Sequence, residues 1–377
     1  MTITHGSNQE ILGRDELDDI EAILAVTNTD ADEIEHAVKD NADALFTWDY
    51  TLARPALRKL YEKSKNSQWN GSTDLAWDTP VDIEKIIAYD MENSLTGFDR
   101  EFYGDTVVGK WDDAKWLQFG VDQRRWMLSQ FLHGEQGALL CTAKITETVP
   151  WYDAKLYAAQ QVVDEARHVE VFGRYLEEKW EGNFVVNAHL RMLLDDIIGD
   201  SEWDMTYLGM QIMVEGLALA AFGFMRQLTT EPLLNQLLRY VMADEARHVA
   251  FGVLSLKEVY DGMSDAELRT RQEFAYEAAV RMRDRFLSQE VWELHGVNPR
   301  DIVPVVLQDP TRAVFQQMLF TKIVPNCKKL GLLDRNDSWL RRRFEEMGVI
   351  QFEDLEDTGE EYDKFSIDST DAAPAPA

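Results

Sequence analysis

The chain has 377 residues, and 45% of them are hydrophobic and 11% aromatic, which is ample for a sizeable core. It carries 38 Lys and Arg against 68 Asp and Glu, a formal charge of −30 at pH 7. A surface this acidic repels nucleic acid and anionic membranes, so the composition excludes both as partners. The sequence predicts a globular protein with an acidic exterior.

Cysteine usage and the N-terminal residues bear on the compartment. Cys141 and Cys327 lie far apart in sequence, which excludes a disulfide framework and a cysteine-based zinc or iron–sulfur site. Residues 1–15 lack the basic start and apolar run of a signal peptide, and no window has the uninterrupted apolar length of a membrane helix. We therefore expect a soluble, cytoplasmic protein.

The N-terminal part, residues 1–110, is expected to pack as helices and a loop on the main body. Apolar spacing between Asp15 and Lys65 predicts two acidic amphipathic helices with an interruption at residues 46–50. Residues 66–80 are rich in turn formers and contain two tryptophans, which predicts a loop anchored on the body.

Residues 111–262 have a regular helical period. The pattern predicts long helices over about 112–147, 152–180, 203–229 and 233–261, with breaks at Pro150 and Pro232. Short connections make sequence neighbours antiparallel, so the first two helices and the last two form hairpins. The expected fold class is all-α, a four-helix bundle with additional N- and C-terminal helices.

The C-terminal part begins at residue 263. Helices are predicted near residues 265–293 and 309–323, within a helical extension that spans residues 263–352. Residues 353–377 contain dense acid and few large apolar side chains, which predicts a disordered tail.

The pentapeptide Asp-Glu-Ala-Arg-His occurs twice, at residues 164–168 and 244–248, which are 80 residues apart. Within each copy, Glu and His are three residues apart and so share one helix face. Thirty residues before each of these glutamates stands another, Glu135 or Glu215, in an otherwise apolar helical run. The unit of Glu followed by Glu-x-x-His is thus duplicated within the chain.

Four buried glutamates would be prohibitively costly without compensating positive charge. Two metal cations bridged by carboxylates would supply it. A mixed oxygen and imidazole ligand set suits iron or manganese better than structural zinc, which prefers four tetrahedral ligands. The pattern therefore predicts a two-metal centre in the core of the bundle.

This ligand pattern resembles the motif of the ferritin-like di-iron carboxylate oxygenases and oxidases. That superfamily includes bacterial monooxygenase hydroxylases, acyl-carrier-protein desaturases, the ribonucleotide reductase small subunit and arylamine N-oxygenases. The resemblance covers residues 110–262 and implies a ferritin-like bundle. By analogy, Glu165 and Glu245 bridge the metals. The implied ligand sets are Glu135, Glu165 and His168 for one iron, and Glu215, Glu245 and His248 for the other.

The other charged residues of each pentapeptide are predicted to support the ligands. Asp164 and Asp244 lie four residues before a histidine, where a carboxylate can accept the non-ligating imidazole N–H and fix its tautomer. The spacing leaves open whether each Asp serves its own or the facing helix; in the superfamily the bond usually crosses. Arg167 and Arg247 would then complete the arrangement by salt bridges.

A substrate pocket beside the metals should be lined by residues three or four positions from a ligand, because these share its helix face. Most of these positions are apolar, and Gln211 is the polar one able to orient a substrate or water. The predicted lining is Phe131, Ala138, Leu139, Val169, Phe172, Gln211, Ile212, Ala218, Leu219, Met242 and Val249.

The resemblance implies a dioxygen-activating monooxygenase or hydroxylase of a small or carrier-linked organic substrate. It implies two iron ions, with a mixed manganese–iron centre left open, dioxygen as co-substrate, an electron donor such as a ferredoxin or flavin reductase, and a homodimer. Phe172 stands where the reductase small subunit has its radical tyrosine, and Val241 where arylamine N-oxygenases have an extra histidine. A ligand-binding oxidase of the reductase-like type, an N-oxygenase and a non-catalytic metal-binding scaffold remain as alternatives.

Overall fold

The computed structural model describes residues 9–27, 34–93, 95, 98 and 100–361, and these residues form helices and no strand. The expected all-α class is confirmed. In chain order the α-helices are α1 (Gln9–Leu12), α2 (Ile20–Leu24), α3 (Pro55–Asn66), α4 (Ile83–Glu92), α5 (Asp113–Thr148), α6 (Tyr152–Trp180), α7 (Ala188–Gly199), α8 (Trp203–Leu228), α9 (Pro232–Tyr260), α10 (Asp265–Arg285), α11 (Gln289–Leu294), α12 (Pro299–Val306), α13 (Pro310–Met318), α14 (Ile323–Lys329), α15 (Trp339–Glu346) and α16 (Thr358–Glu361).

Helices α5, α6, α8 and α9 form the central bundle, and their ends follow from local capping chemistry. The side chain of Asp112 accepts a hydrogen bond from the Lys115 amide at the start of α5. Glu231 caps α9 in the same way, and Pro232 occupies the first turn, where its missing N–H costs nothing. The four long helices predicted from the sequence are therefore present with nearly the expected ends.

Helix α8 is irregular beside its buried glutamate. It is α-helical over Trp203–Tyr207, widens to a π-helix over Leu208–Val214, and returns to α-helix from Glu215. Gly252 of α9 allows this bulge to pack closely, because a Cβ atom there would lie 2.6 Å from Cβ of Gln211. Helix α8 is long and apolar enough to cross a membrane, but 78% of its apolar window is buried within the protein. It is therefore a core helix of the bundle.

The prediction of the first N-terminal helix is wrong over most of its length. After α2, the described residues 34–54 contain no helix, although the second expected helix exists as α3. This segment instead bonds to the body: the Leu45 amide donates to the Glu147 carbonyl at 3.0 Å, and Asn41 Nδ2 donates to the Gly199 carbonyl at 2.7 Å. These tertiary hydrogen bonds outweigh a weak local helical preference.

The anchored loop over residues 66–80 is as expected, and both tryptophans within it are buried.

The structure of the C-terminal part differs from the prediction in two places. The helix expected over 265–293 is divided at Ser288, which has a left-handed φ of 48°. The disordered tail is wrong for residues 353–361, because Thr358 is fully buried and its amide donates to Asn326 Oδ1 at 2.9 Å. Residues 362–377 of the predicted tail lie outside the described residues.

We predict that Gly252→Ala lowers the free energy of unfolding by about 1–3 kcal/mol, because the added methyl overlaps Cβ of Gln211. Gly173→Ala on α6 is the matched control, since its nearest neighbour lies 4.0 Å away. That variant should be neutral or slightly stabilising. Urea unfolding of both variants measures the difference. Equal free energies of unfolding would show that the contact between α8 and α9 can accommodate a methyl group at residue 252.

Candidate metal centre

Four bundle helices each bring acidic or imidazole side chains to one level of the core. Helix α5 supplies Glu135, α6 supplies Glu165 and His168, α8 supplies Glu215, and α9 supplies Glu245 and His248. All six side chains are buried. They form two overlapping clusters, one of Glu135, Glu165, His168 and Glu245 and one of Glu165, Glu215 and His248, in each of which the potential ligand atoms lie within 4.8 Å of one another.

The first cluster centres on Nδ1 of His168. This nitrogen lies 3.2 Å from Glu135 Oε2, 3.4 Å from Glu165 Oε2 and 3.1 Å from Glu245 Oε1. One imidazole and three carboxylates thus face a common point. The point is bounded by helices α5, α6 and α9.

The second cluster centres on Nδ1 of His248. It lies 3.0 Å from Glu165 Oε1 and 3.6 Å from Glu245 Oε2. Glu165 and Glu245 therefore each direct one oxygen to His168 and the other to His248. The histidine rings are 5.8 Å apart between centroids, with these two carboxylates spanning the space between them.

The donor atoms fit a pair of cations. Glu165 Oε2, Glu215 Oε2 and both oxygens of Glu245 are buried without a hydrogen-bond partner among the described residues. Leaving so many carboxylate oxygens unsatisfied would be severely destabilising unless another group binds them. Iron or manganese ions, which accept mixed oxygen and imidazole ligands, match this need.

The pKa values of the cluster reflect this crowding of charge. Burial, and then the charges of neighbouring glutamates, raise the pKa of Glu215 well above its usual range and that of Glu135 to about 8. Burial acts to raise the pKa of Glu165 as well, but the adjacent His248 holds it below its usual value. Bound cations would displace protons from such a site, so metal binding and proton release are linked.

The outer nitrogens of the histidines bond across the bundle. Nε2 of His168 lies 3.2 Å from Asp244 Oδ2 on the facing helix, and Nε2 of His248 lies 3.3 Å from Asp164 Oδ2. Arg167 Nη2 donates to Asp164 at 2.6 Å and to Asp244 at 3.0 Å. Each carboxylate thus holds an imidazole with its other nitrogen, Nδ1, toward the cluster.

Arg247 completes this layer. It donates a short hydrogen bond to Asp244 and lies 3.7 Å from Asp164. Opposing charge from Arg247 and the bond with His168 hold the pKa of Asp244 below its usual range, although burial alone would raise it. The carboxylate is therefore ionised and can accept hydrogen bonds at neutral pH.

Three polar residues in contact with the centre were not predicted. Gln161 Nε2 donates to Glu165 and to Glu215, at 2.9 Å in each case. Trp69 Nε1 donates to Asp244 Oδ2 at 2.8 Å, and Gln68 Nε2 donates to Asp164 Oδ1 at 3.0 Å. Gln161 stands one turn before Glu165 and could have been found by its spacing. The loop residues carry no such signal.

A cavity of about 20 Å³ borders the glutamates between α5 and α8. Of the predicted pocket residues, Phe131, Ala138 and Ala218 line it. Arg285 of α10 also lines it and was not predicted, because helix spacing cannot show which outer helix covers a bundle groove. The other eight predicted residues lie outside this lining: Leu139, Val169, Phe172, Gln211, Ile212, Leu219, Met242 and Val249.

Several of these residues make contacts within the core. Phe172 packs against Phe222 with ring centroids 5.6 Å apart. Leu219, Met242 and Val249 form a separate apolar cluster with Ala246. Gln211 lies in the π-helical turn of α8, with both polar atoms of its amide unpartnered among the described residues.

The family model of the p-aminobenzoate N-oxygenase AurF matches residues 144–331, a stretch that contains five of the six clustered residues and lacks Glu135. The chain belongs to the ferritin-like di-iron carboxylate oxidases and oxygenases. It is a non-haem di-iron oxidoreductase that activates dioxygen and acts on an organic small molecule. Its cofactor is a pair of metal ions.

One solved structure shows the same fold, and a second is similar. An R2-like ligand-binding oxidase with aerobically reconstituted metal cofactor after photoconversion is 16% identical, with a TM-score of 0.51, over 72% of this chain and 92% of that chain. A variant of an R2-like ligand-binding oxidase with an anaerobically reconstituted Mn/Fe cofactor is 17% identical, with a TM-score of 0.49 and the same coverage. No curated protein matches the chain.

We predict that Glu165→Ala and His248→Ala each abolish binding of the metal pair while helical content stays nearly unchanged. A bundle with a large core tolerates the loss of one ligand better than the site does. Metal analysis and far-ultraviolet circular dichroism of the purified proteins check this. Glu177→Ala, at an exposed position of the same helix α6 as Glu165, is the control and should keep both metals. Undiminished metal content in both ligand variants would refute the assignment.

Asp164→Ala should weaken metal retention or activity about 10- to 100-fold, because His248 would lose the carboxylate that orients its ring. Glu178→Ala, an exposed substitution on the same helix, provides the comparison. Metal release to a chelator, followed over time, measures the difference. If the two variants release metal at the same rate, Asp164 has no orienting role.

Proposed function

We propose that Glu135, Glu165, His168, Glu215, Glu245 and His248 hold two iron ions, and that the chain inserts oxygen from dioxygen into an organic substrate. The observation that carries the proposal is the two-sided reach of Glu165 and Glu245. In both carboxylates, one oxygen faces Nδ1 of His168 and the other faces Nδ1 of His248. Two carboxylates in this arrangement favour a pair of ions over a single one.

When bound, a reduced di-iron pair supplies electrons to dioxygen, the chemistry that makes an oxygenase possible. The chain's own residues orient the ligands and exclude water. Asp164 and Asp244 fix the histidine rings, and Gln161 holds Glu165 and Glu215 at a set distance from each other. Phe131 and Ala218 supply apolar walls to the small space beside the glutamates.

N-oxygenation of an aromatic amine is the second candidate reaction. The match to a family model described as a p-aminobenzoate N-oxygenase favours it. Val241, fully buried at the position where arylamine N-oxygenases carry an additional histidine, argues against it. Turnover with labelled dioxygen separates the two reactions, because an N-oxygenated product and a hydroxylated product have different structures.

Turnover by this class requires a supply of electrons, so we propose a ferredoxin or a flavin reductase as partner. The acidic surface supports a donor with a basic docking patch. We further propose a cytoplasmic homodimer that binds neither nucleic acid nor membrane.

We predict that the purified enzyme contains about two metal ions per chain and, given a chemical reductant and ¹⁸O₂, places ¹⁸O in an organic product. Mass spectrometry across a panel of amines, aryl acids and alkyl acids detects the labelled product. The metal-free Glu165→Ala protein is the control and should give none. Dioxygen consumption without any labelled product would favour the ligand-binding oxidase or the scaffold.

A further inference from the structure

A second cavity, of about 670 Å³, lies between α5 and α8 and is covered by α4 and α13. Its walls are mostly apolar and include Trp116, Phe119 and Met127 of α5 together with Ala221 and Met225 of α8. Its volume falls within the range of sites that enclose drug-sized organic molecules. The small cavity at the glutamates, by contrast, has room for little more than a water molecule.

The two cavities follow the same groove. Met127 borders the large cavity and Phe131, one turn further along α5, borders the small one. On α8, Ala221 borders the large cavity and Ala218, about one turn away, borders the small one. From Trp116 to Met127 the large cavity extends about 16 Å along α5, at about 1.5 Å per residue. An elongated molecule lying in it would therefore point one end toward the metal centre.

One charged group in the large cavity lacks a partner. Arg312 of α13 is only 4% exposed, and its Nε and Nη2 atoms have no hydrogen-bond partner among the described residues. The other arginines of the lining are paired: Arg124 with Asp90 at 2.7 Å and Arg100 with Asp113 at 2.9 Å. Arg312 is thus the arginine of this lining whose charge is left to an incoming group.

Two carboxylates lie near Arg312, and both are already engaged. Asp284 pairs with Arg14 at 2.9 Å and with Arg283 at 2.6 Å. The other is Asp309. It accepts hydrogen bonds from the Tyr103 hydroxyl at 2.9 Å and from the Thr311 amide at 2.9 Å. Burial, and then the charge of Arg283, lower the pKa of Arg312 to about 10, so the guanidinium is still protonated at neutral pH. A buried, unpaired cation destabilises a folded protein unless a ligand compensates it.

Arg312 belongs to α13, whose N-terminus lies near the beginning of α5. Asp309, at the N-terminus of the same helix, is bonded to Tyr103, and the Tyr103 ring packs 6.3 Å from Trp116 at the beginning of α5. Glu135 lies 19 residues further along α5. A group bound by Arg312, which borders the large cavity and not the small one, would therefore sit away from the glutamates.

We propose that the large cavity binds an amphipathic organic acid, with its carboxylate on Arg312 and its apolar end directed toward Glu135 and Glu215. This assignment rests on the proposed oxygenase function and names its substrate class. A guanidinium binds a carboxylate through paired, charge-assisted hydrogen bonds, which suits the two unpartnered nitrogens. In a chain with a charge of −30, a local unpaired cation is what allows an anion to bind.

Arg285 is the other buried arginine near the path of the substrate. Its Nε atom is unpartnered among the described residues, and burial lowers its pKa to about 10. It borders the small cavity, which lacks the volume for an acid group and its attached chain. Its position beside Glu135, Glu215 and Glu245 makes it part of the charge balance of the metal centre.

The test uses decanoate and its neutral counterpart 1-decanol, and measures binding to the metal-loaded protein without dioxygen by calorimetry. Arg312→Leu should weaken decanoate binding about 10- to 100-fold, the equivalent of a lost charge-assisted hydrogen-bond pair, and leave 1-decanol binding unchanged. Arg269→Leu is the matched control and should leave both affinities nearly unchanged, because Arg269 pairs with Glu273 at 2.7 Å and does not line the cavity.

Two further measurements keep the outcome decisive. The melting temperature of ligand-free Arg312→Leu should be higher than that of the parent, because an unpaired buried charge is replaced by an apolar group. Metal-free Glu165→Ala protein should still bind decanoate. Loss of binding there would place the carboxylate on the metals, and equal weakening of decanoate and 1-decanol in Arg312→Leu would reduce Arg312 to a structural role; either result overturns the proposal.

The test separates this proposal from the oxygenase function. Arg312-dependent binding of decanoate without any oxygenated product would leave the acid site standing and count against the oxygenase. Oxygenated products together with decanoate binding that does not depend on Arg312 would support the oxygenase function and count against the acid site. Failure of decanoate to bind at all would also overturn the acid site.

Discussion

The structure depends on the cost of burying carboxylates. Six acidic side chains, the four clustered glutamates with Asp164 and Asp244, lie in the bundle with almost no exposure to water. Arg167 and Arg247 compensate the two aspartates, whereas the glutamates are bonded to the two histidines and Gln161 and have Arg285 as the nearby arginine. Positive charge is thus supplied by the chain in the outer layer and left to a cofactor in the inner one. This division explains why both oxygens of Asp164 and of Asp244 are hydrogen-bonded, while Glu165, Glu215 and Glu245 keep unpartnered oxygens.

The same rule orders the larger cavity. In the metal centre, unpartnered anions await cations, and in the cavity an unpartnered cation awaits an anion. Arg124 and Arg100 also line the cavity, but their charges are already paired with Asp90 and Asp113 and need no ligand. Both features lower the stability of the empty protein, and such sites are common where function is favoured over stability.

Sequence reasoning reached the bundle and its clustered residues because both follow from periodicity. Two copies of Glu-x-x-His at equal distance from two further glutamates define faces of helices, and helix faces are readable from spacing. It failed for residues 34–54, whose hydrogen bonds run to the distant Glu147 and Gly199 carbonyls. It also did not identify Trp69, since the path of loops is set by tertiary packing. Arg285 and Arg312 come from helices whose placement over the groove has no local signature.

The hydrogen bond from Trp69 has a consequence for symmetry. The duplicated motif would give two equivalent halves, yet Asp244 is bonded to an indole N–H and Asp164 to the Gln68 amide. Only the half containing His168 is therefore linked, through Asp244, to an aromatic ring that also stacks on Tyr240 at 4.9 Å. Two ions of the same element held here would differ in electron density at the nucleus and in redox potential. A Mössbauer spectrum of the iron-loaded protein would then resolve two components instead of one.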